Sequence, residues 1–154
     1  MRSVTLVQMI EDHSEQITGK VLHRIHQDPE LHEMRRLPQS ELKDRCQDVL
    51  ENLGHYLSGN RKDELVKRYE KLGRRRFEES IPLHEVVRTL QILKESMIGF
   101  VRDQGVLQNF LELYAEEELE HRVGQFFDKL VYYVVRGYEE AVEAALRRGV
   151  LTGS

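Results

Sequence analysis

The chain has 154 residues, of which 40% are hydrophobic and 32% charged, with 3 prolines, no tryptophan and a formal net charge of −4. One domain over residues 1–154 would bury roughly 70% of its unfolded surface, and the balance suits a helical protein better than a disordered or β-rich one. The negative charge gives no general attraction for nucleic acid or an anionic membrane, and no stretch approaches the roughly 20 apolar residues of a bilayer span.

The N-terminus reaches Glu11 and Asp12 before any long apolar stretch, unlike a signal peptide, so the expected location is cytoplasmic. Leu6, Ile10, Ile17, Val21 and Ile25 recur at helical spacing and predict a first helix from about Val4 to Gln27. Asp28 caps a short turn at Pro29, with Leu31 and Met34 placed to tuck against the core. After Leu37 and Pro38, the stripe Leu42, Leu50, Leu53, Tyr56 and Leu57 predicts a second long helix, closed by Ser58, Gly59 and Asn60. Cys46 falls on that stripe with Val49; as the sole cysteine it excludes an internal disulfide and reads as a buried thiol.

A further helix runs from about Lys62 to Glu79, and Ser80, Ile81 and Pro82 break it. Leu83, Val86, Val87, Leu90, Leu93, Met97, Ile98 and Val101 then trace an amphipathic helix closing at Gly105, and the last region begins near Leu107. The expected fold is all-α, globin-like or bundle-like, with five or six helices and a long C-terminal one.

That closing helix carries the strongest signal. Leu119, Val123, Phe126, Leu130, Val134, Ala141 and Ala145 form one stripe, and Phe127, Val131, Val135, Tyr138 and Val142 a second beside it. Two adjacent stripes look too wide for one subunit to cover. The expected dimer interface is therefore Val123, Phe126, Phe127, Leu130, Val131, Val134, Val135 and Tyr138, paired with a copy across a twofold axis. A straight helix from Asn109 to Arg148 would extend roughly 60 Å, against a diameter of about 40 Å for a compact chain of this size. A break near Tyr114 to Glu118 is expected for that reason, with Gly124 and Gly137 as further weak points.

The pattern Leu72-Gly73-Arg74-Arg75-Arg76, Ile81-Pro82-Leu83, Val86, Val87 and Leu90, with Phe126-Phe127 and Tyr138-Glu139, resembles the N-terminal helical sensor domains of stressosome co-antagonists. Related domains precede histidine kinases and other bacterial signalling modules. The resemblance covers roughly Val4 to Leu146 and implies a dimeric all-α domain, usually without haem, that passes a signal through its last helix to an effector. The sequence departs from the family pattern in stopping at Ser154 with no effector domain after it, as expected of a stand-alone relative or a trimmed domain.

Few residues carry chemistry. Glu118 and His121 make one Glu-x-x-His spacing, a device that di-iron bundles use twice, and His23 and His26 alone would leave a metal under-coordinated. All four read as surface residues. His13 shares a stripe with Leu6, Ile10 and Ile17 and reads as a satisfied core or boundary histidine. His84 and His121 are the candidate axial ligands if the bundle held haem.

From Arg61 to Arg76 the sequence places 8 basic residues against Asp63, Glu64 and Glu70, with the acidic stretch Glu112 to Glu120 as the expected complement. No aromatic platform is interleaved as single-strand binders require, so nucleic acid is not the expected partner. Arg74, Arg75 and Arg76 cannot share one helix face; at least one must turn inward or toward a partner, which makes them the candidate anion or partner contact.

No phosphate loop, nucleophile elbow or paired cysteine motif occurs. The sequence thus points to a non-enzymatic signalling domain without a cofactor, homodimeric and acting on a signalling protein or fused effector. The competing reading is a metal- or haem-binding bundle with a redox or gas-sensing role.

Overall fold

The computed structural model describes residues 2–104 and 110–149. Its helices, in order, are α1 (Arg2–Asp12), α2 (Ser14–Gln27), α3 (Gln39–Glu51), α4 (Leu53–Ser58), α5 (Lys62–Glu78), α6 (Leu83–Asp103) and α7 (Phe110–Arg147), with a short 3-10 turn at Met34–Arg36. No strand occurs among the described residues.

Two of the expected helices are split, and a side chain explains each break. At His13 the ring Nδ1 donates to the Met9 carbonyl at 2.8 Å, the oxygen that the His13 backbone N–H would use in an uninterrupted helix. That N–H turns to the Ile10 carbonyl instead, at 3.1 Å. At Asn52 the side-chain amide donates to the Asp48 carbonyl at 2.9 Å, competing with the Asn52 backbone N–H at 3.2 Å, and α3 gives way to α4. The result is seven helices among the described residues, where five or six were expected.

Pro38 and Pro82 precede the first residues of α3 and α6, where the missing N–H leaves no ladder bond unmade. Gly59 ends α4 with φ 81°, the left-handed conformation that glycine adopts without a Cβ clash. Leu107 and Asn109, where the last region was expected to begin, lie outside the described residues, and so does Gly105.

The expected break in the last helix is not found. α7 runs continuously through Tyr114 to Glu118, and its 38 residues extend about 57 Å. No glycine or proline interrupts residues 110–123, and buried Ala115 and Leu119 seat this segment. α7 packs most extensively on α5, with α6 and α1 also against it. The pairs Arg136–Glu70 and Arg74–Glu140 show that α5 and α7 run in the same direction.

Candidate functional site

The chain's own helices cover part of the two α7 stripes. Val123, Phe126, Phe127, Leu130 and Val134 are buried by the chain's own helices, so these five residues of the expected dimer interface belong to the core. Val131, Val135 and Tyr138 are half-buried. The Tyr138 hydroxyl donates to the Ile81 carbonyl at 2.7 Å and its ring meets Phe77 edge-on at 5.5 Å, fixing α7 to the junction of α5 and α6.

Gly137 is not a weak point but a contact. A Cβ there would lie 2.0 Å from the Glu70 carbonyl oxygen, and one on Gly73 would lie 2.1 Å from that of Val134. The backbones of α5 and α7 therefore touch where only glycine fits. Gly124, by contrast, has open space around it.

The three consecutive arginines separate as their helix dictates. Arg74 reaches outward to Glu140 at 3.1 Å, and exposed Arg75 pairs with Glu79 at 3.0 Å. Arg76 turns inward and is only 2% exposed. Its guanidinium donates to Glu41 at 2.9 Å and to Glu79 at 2.7 Å, and Arg45 reaches the same Glu41 at 2.8 Å. Burial pushes the Glu41 carboxyl up, but the bonds from Arg45 and Arg76 outweigh it and hold the group below the usual carboxylate range. The expected complement to this basic segment was the stretch Glu112 to Glu120. The partners found are Glu41, Asp48, Glu64, Glu79 and Glu140 instead, and Glu120 takes Arg102 in a two-pronged pair at 2.9 and 3.0 Å. The Glu112 side chain lies outside the described residues.

Arg76 and Arg45 also stand on the wall of an apolar cavity of about 50 Å³ at the meeting of α2, α3, α5 and α6. Ile25, Leu42, Cys46, Tyr69 and Leu93 are among its lining residues. The space would admit a few waters or a very small molecule, not a macrocycle. Burial pushes the Cys46 thiol up to about 12, which leaves it an unreactive lining group, and burial likewise raises the Tyr69 hydroxyl.

The histidines lie elsewhere. His13 is exposed at the α1–α2 break, its ring 5.1 Å from that of Phe100 and its Nδ1 bonded to the Met9 carbonyl, so of the two positions expected for it the core one is excluded. His23, His26, His84, Glu118 and His121 are all exposed. Among the described residues no group of three or more histidine, cysteine or carboxylate side chains is placed to hold a metal, and no helix is long and apolar enough to cross a membrane.

Glu85 stands apart from every residue that the sequence singles out. This buried carboxylate on the first turn of α6 accepts the backbone N–H groups of Glu33 at 3.1 Å and Met34 at 2.9 Å, anchoring the 3-10 turn. In the sequence it reads as an ordinary first-turn acid.

An all-helical chain with an arginine-rich α5 locked to a long final helix matches one family model, the RsbT co-antagonist protein rsbRD N-terminal domain, over residues 15–150. The chain belongs to that family. Comparison with curated proteins and with solved structures gave no match. As an rsbRD N-terminal domain it is a signalling domain of stressosome type, from a family of signalling domains rather than of enzymes.

Proposed function

We propose that this rsbRD-type domain is a non-enzymatic sensor and interaction module that pairs with a second copy and passes a signal along α7 to an effector in RsbT-dependent signalling. The observation that carries the reading is α7 itself. One continuous helix is held on α5 by a glycine crossing and by Arg74–Glu140 and Arg136–Glu70, so a change in how α5 packs must be felt along it. Packed helices move between discrete arrangements rather than deforming continuously.

Pairing would use the part of α7 that the chain leaves uncovered. Val131, Tyr132, Val135, Val142 and Leu146 fall within about 100° of one another on the helix, and Tyr132 is 59% exposed. Light scattering on the whole chain from low to high micromolar concentration tests this reading. Wild type should approach twice the monomer mass, and Val135→Glu with Tyr132→Glu should hold it at monomer mass. A wild-type monomer at every concentration would remove the pairing. A spin-label distance along α7 that never changes when an effector is engaged would remove the transmission.

A further inference from the structure

A second crevice, of about 130 Å³, opens where the α4–α5 turn meets α7. Arg61, Lys62, Arg122 and Lys129 line it, and Tyr56, Phe126 and Tyr133 form its apolar wall. Among the described residues no carboxylate lines it. Among the described residues none of these four cations is in an ion pair, whereas Arg24, Arg68, Arg76, Arg102 and Arg136 each have a carboxylate partner. The contrast is pointed in a chain whose formal charge is −4.

Like charges facing a shared concavity repel one another, and low-dielectric walls focus their field into it, so an anion entering gains from all four at once. α5 begins at Lys62, and Asp63 and Glu64 in its first turn offset the positive end of the helix, so the field in the crevice is that of the four side chains. Behind the charges the wall is aromatic, with the largely buried rings of Tyr56 and Phe126 stacked at 5.8 Å.

We infer that this crevice binds a phosphorylated small molecule, its phosphoryl group among Arg61, Lys62, Arg122 and Lys129 and its apolar body on the aromatic wall. Four cations lining one crevice match a group carrying more than one negative charge, which a carboxylate cannot supply. The occupant would also bridge the first turn of α5 to α7, bracing the two helices some distance from their glycine crossing. The site stands independently of any pairing through α7.

Calorimetric titration of the whole chain at low salt with phenyl phosphate, inorganic phosphate and benzoate tests the assignment. Phenyl phosphate should bind saturably and tightest, and Arg122→Gln with Lys129→Gln should weaken it by about tenfold or more. Lys94→Gln, on α6, should leave it unchanged. Should the double variant not fold, amide shifts of wild type on adding phenyl phosphate decide the matter, concentrating at 59–62 and 122–129. No saturation up to about 5 mM, benzoate binding as well as phenyl phosphate, inorganic phosphate binding as well as phenyl phosphate, or shifts confined elsewhere would each overturn the inference.

Discussion

Gly73 and Gly137 form one crossing, each occupying a gap that the backbone of the opposite helix leaves. A Cβ on either would fall 2.0 to 2.1 Å from a carbonyl oxygen of the other helix, a distance that only separation of α5 from α7 can relieve. Alanine normally stabilises a helix by about 0.5–1 kcal/mol over glycine, but overpacking against backbone costs about 1–3 kcal/mol, occasionally more. Gly73→Ala and Gly137→Ala should each lower stability in urea titration by a net amount near the top of that range. Gly19→Ala and Gly124→Ala, with nothing within 4 Å of the added carbon, should be neutral or stabilising. Equal behaviour of the two pairs would rule out the close crossing.

The Arg76 cluster predicts a pH dependence. Glu41 is held below its ordinary range in the folded chain, so its contribution is complete above the unfolded value of about 4.3 and is lost as pH falls through the lower folded value. Wild type should lose stability below about pH 4.3 more steeply than Glu41→Gln. At neutral pH that variant should be weaker by about 2 kcal/mol or more, since charged hydrogen bonds to buried Arg76 are lost. Parallel pH profiles of the two proteins would show that Glu41 is not under tension from its arginines.

The helices were legible in the sequence because their apolar residues keep helical spacing, and so was the divergence of Arg74, Arg75 and Arg76, because three in a row cannot share a face; whether one would turn inward or toward a partner was open. Which one turned in was not legible. That was decided by Glu41, 35 residues earlier in the chain. The breaks at His13 and Asn52 escaped notice because they arise from side chains taking carbonyls of their own helix, not from proline or glycine. The breadth of the α7 stripes was readable, but not that α5, α6 and α1 would cover most of it. Gly137 illustrates the same limit: local propensity reads a weak point, and only the opposing backbone reveals a contact. The cationic crevice escaped for a related reason, since Arg61 and Lys62 meet Arg122 and Lys129 only through the parallel packing of α5 on α7.

Cys46 offers a probe of the cavity. With its thiol raised to about 12 by burial, almost none is thiolate at pH 8. Native protein should react with a disulfide reagent at least about a hundredfold more slowly than a free cysteine, and denatured protein at the ordinary rate. Rapid labelling of the folded chain would mean that the wall formed with Leu42 and Tyr69 opens readily.

Glu85 predicts a local effect separable from global stability. Its Oε1 is the acceptor for the N–H groups of Glu33 and Met34, and the Met34 bond is buried. Glu85→Ala would orphan both donors at about 1–3 kcal/mol each, whereas Glu85→Gln keeps a carbonyl oxygen in place and should cost less. Because these bonds tie the 3-10 turn to α6, hydrogen exchange at the Met34 amide should accelerate in Glu85→Ala far more than exchange in the centre of α7. A Met34 amide that exchanges no faster in the variant would show that something other than Glu85 holds the turn, and Met34 would then owe its burial to apolar packing alone.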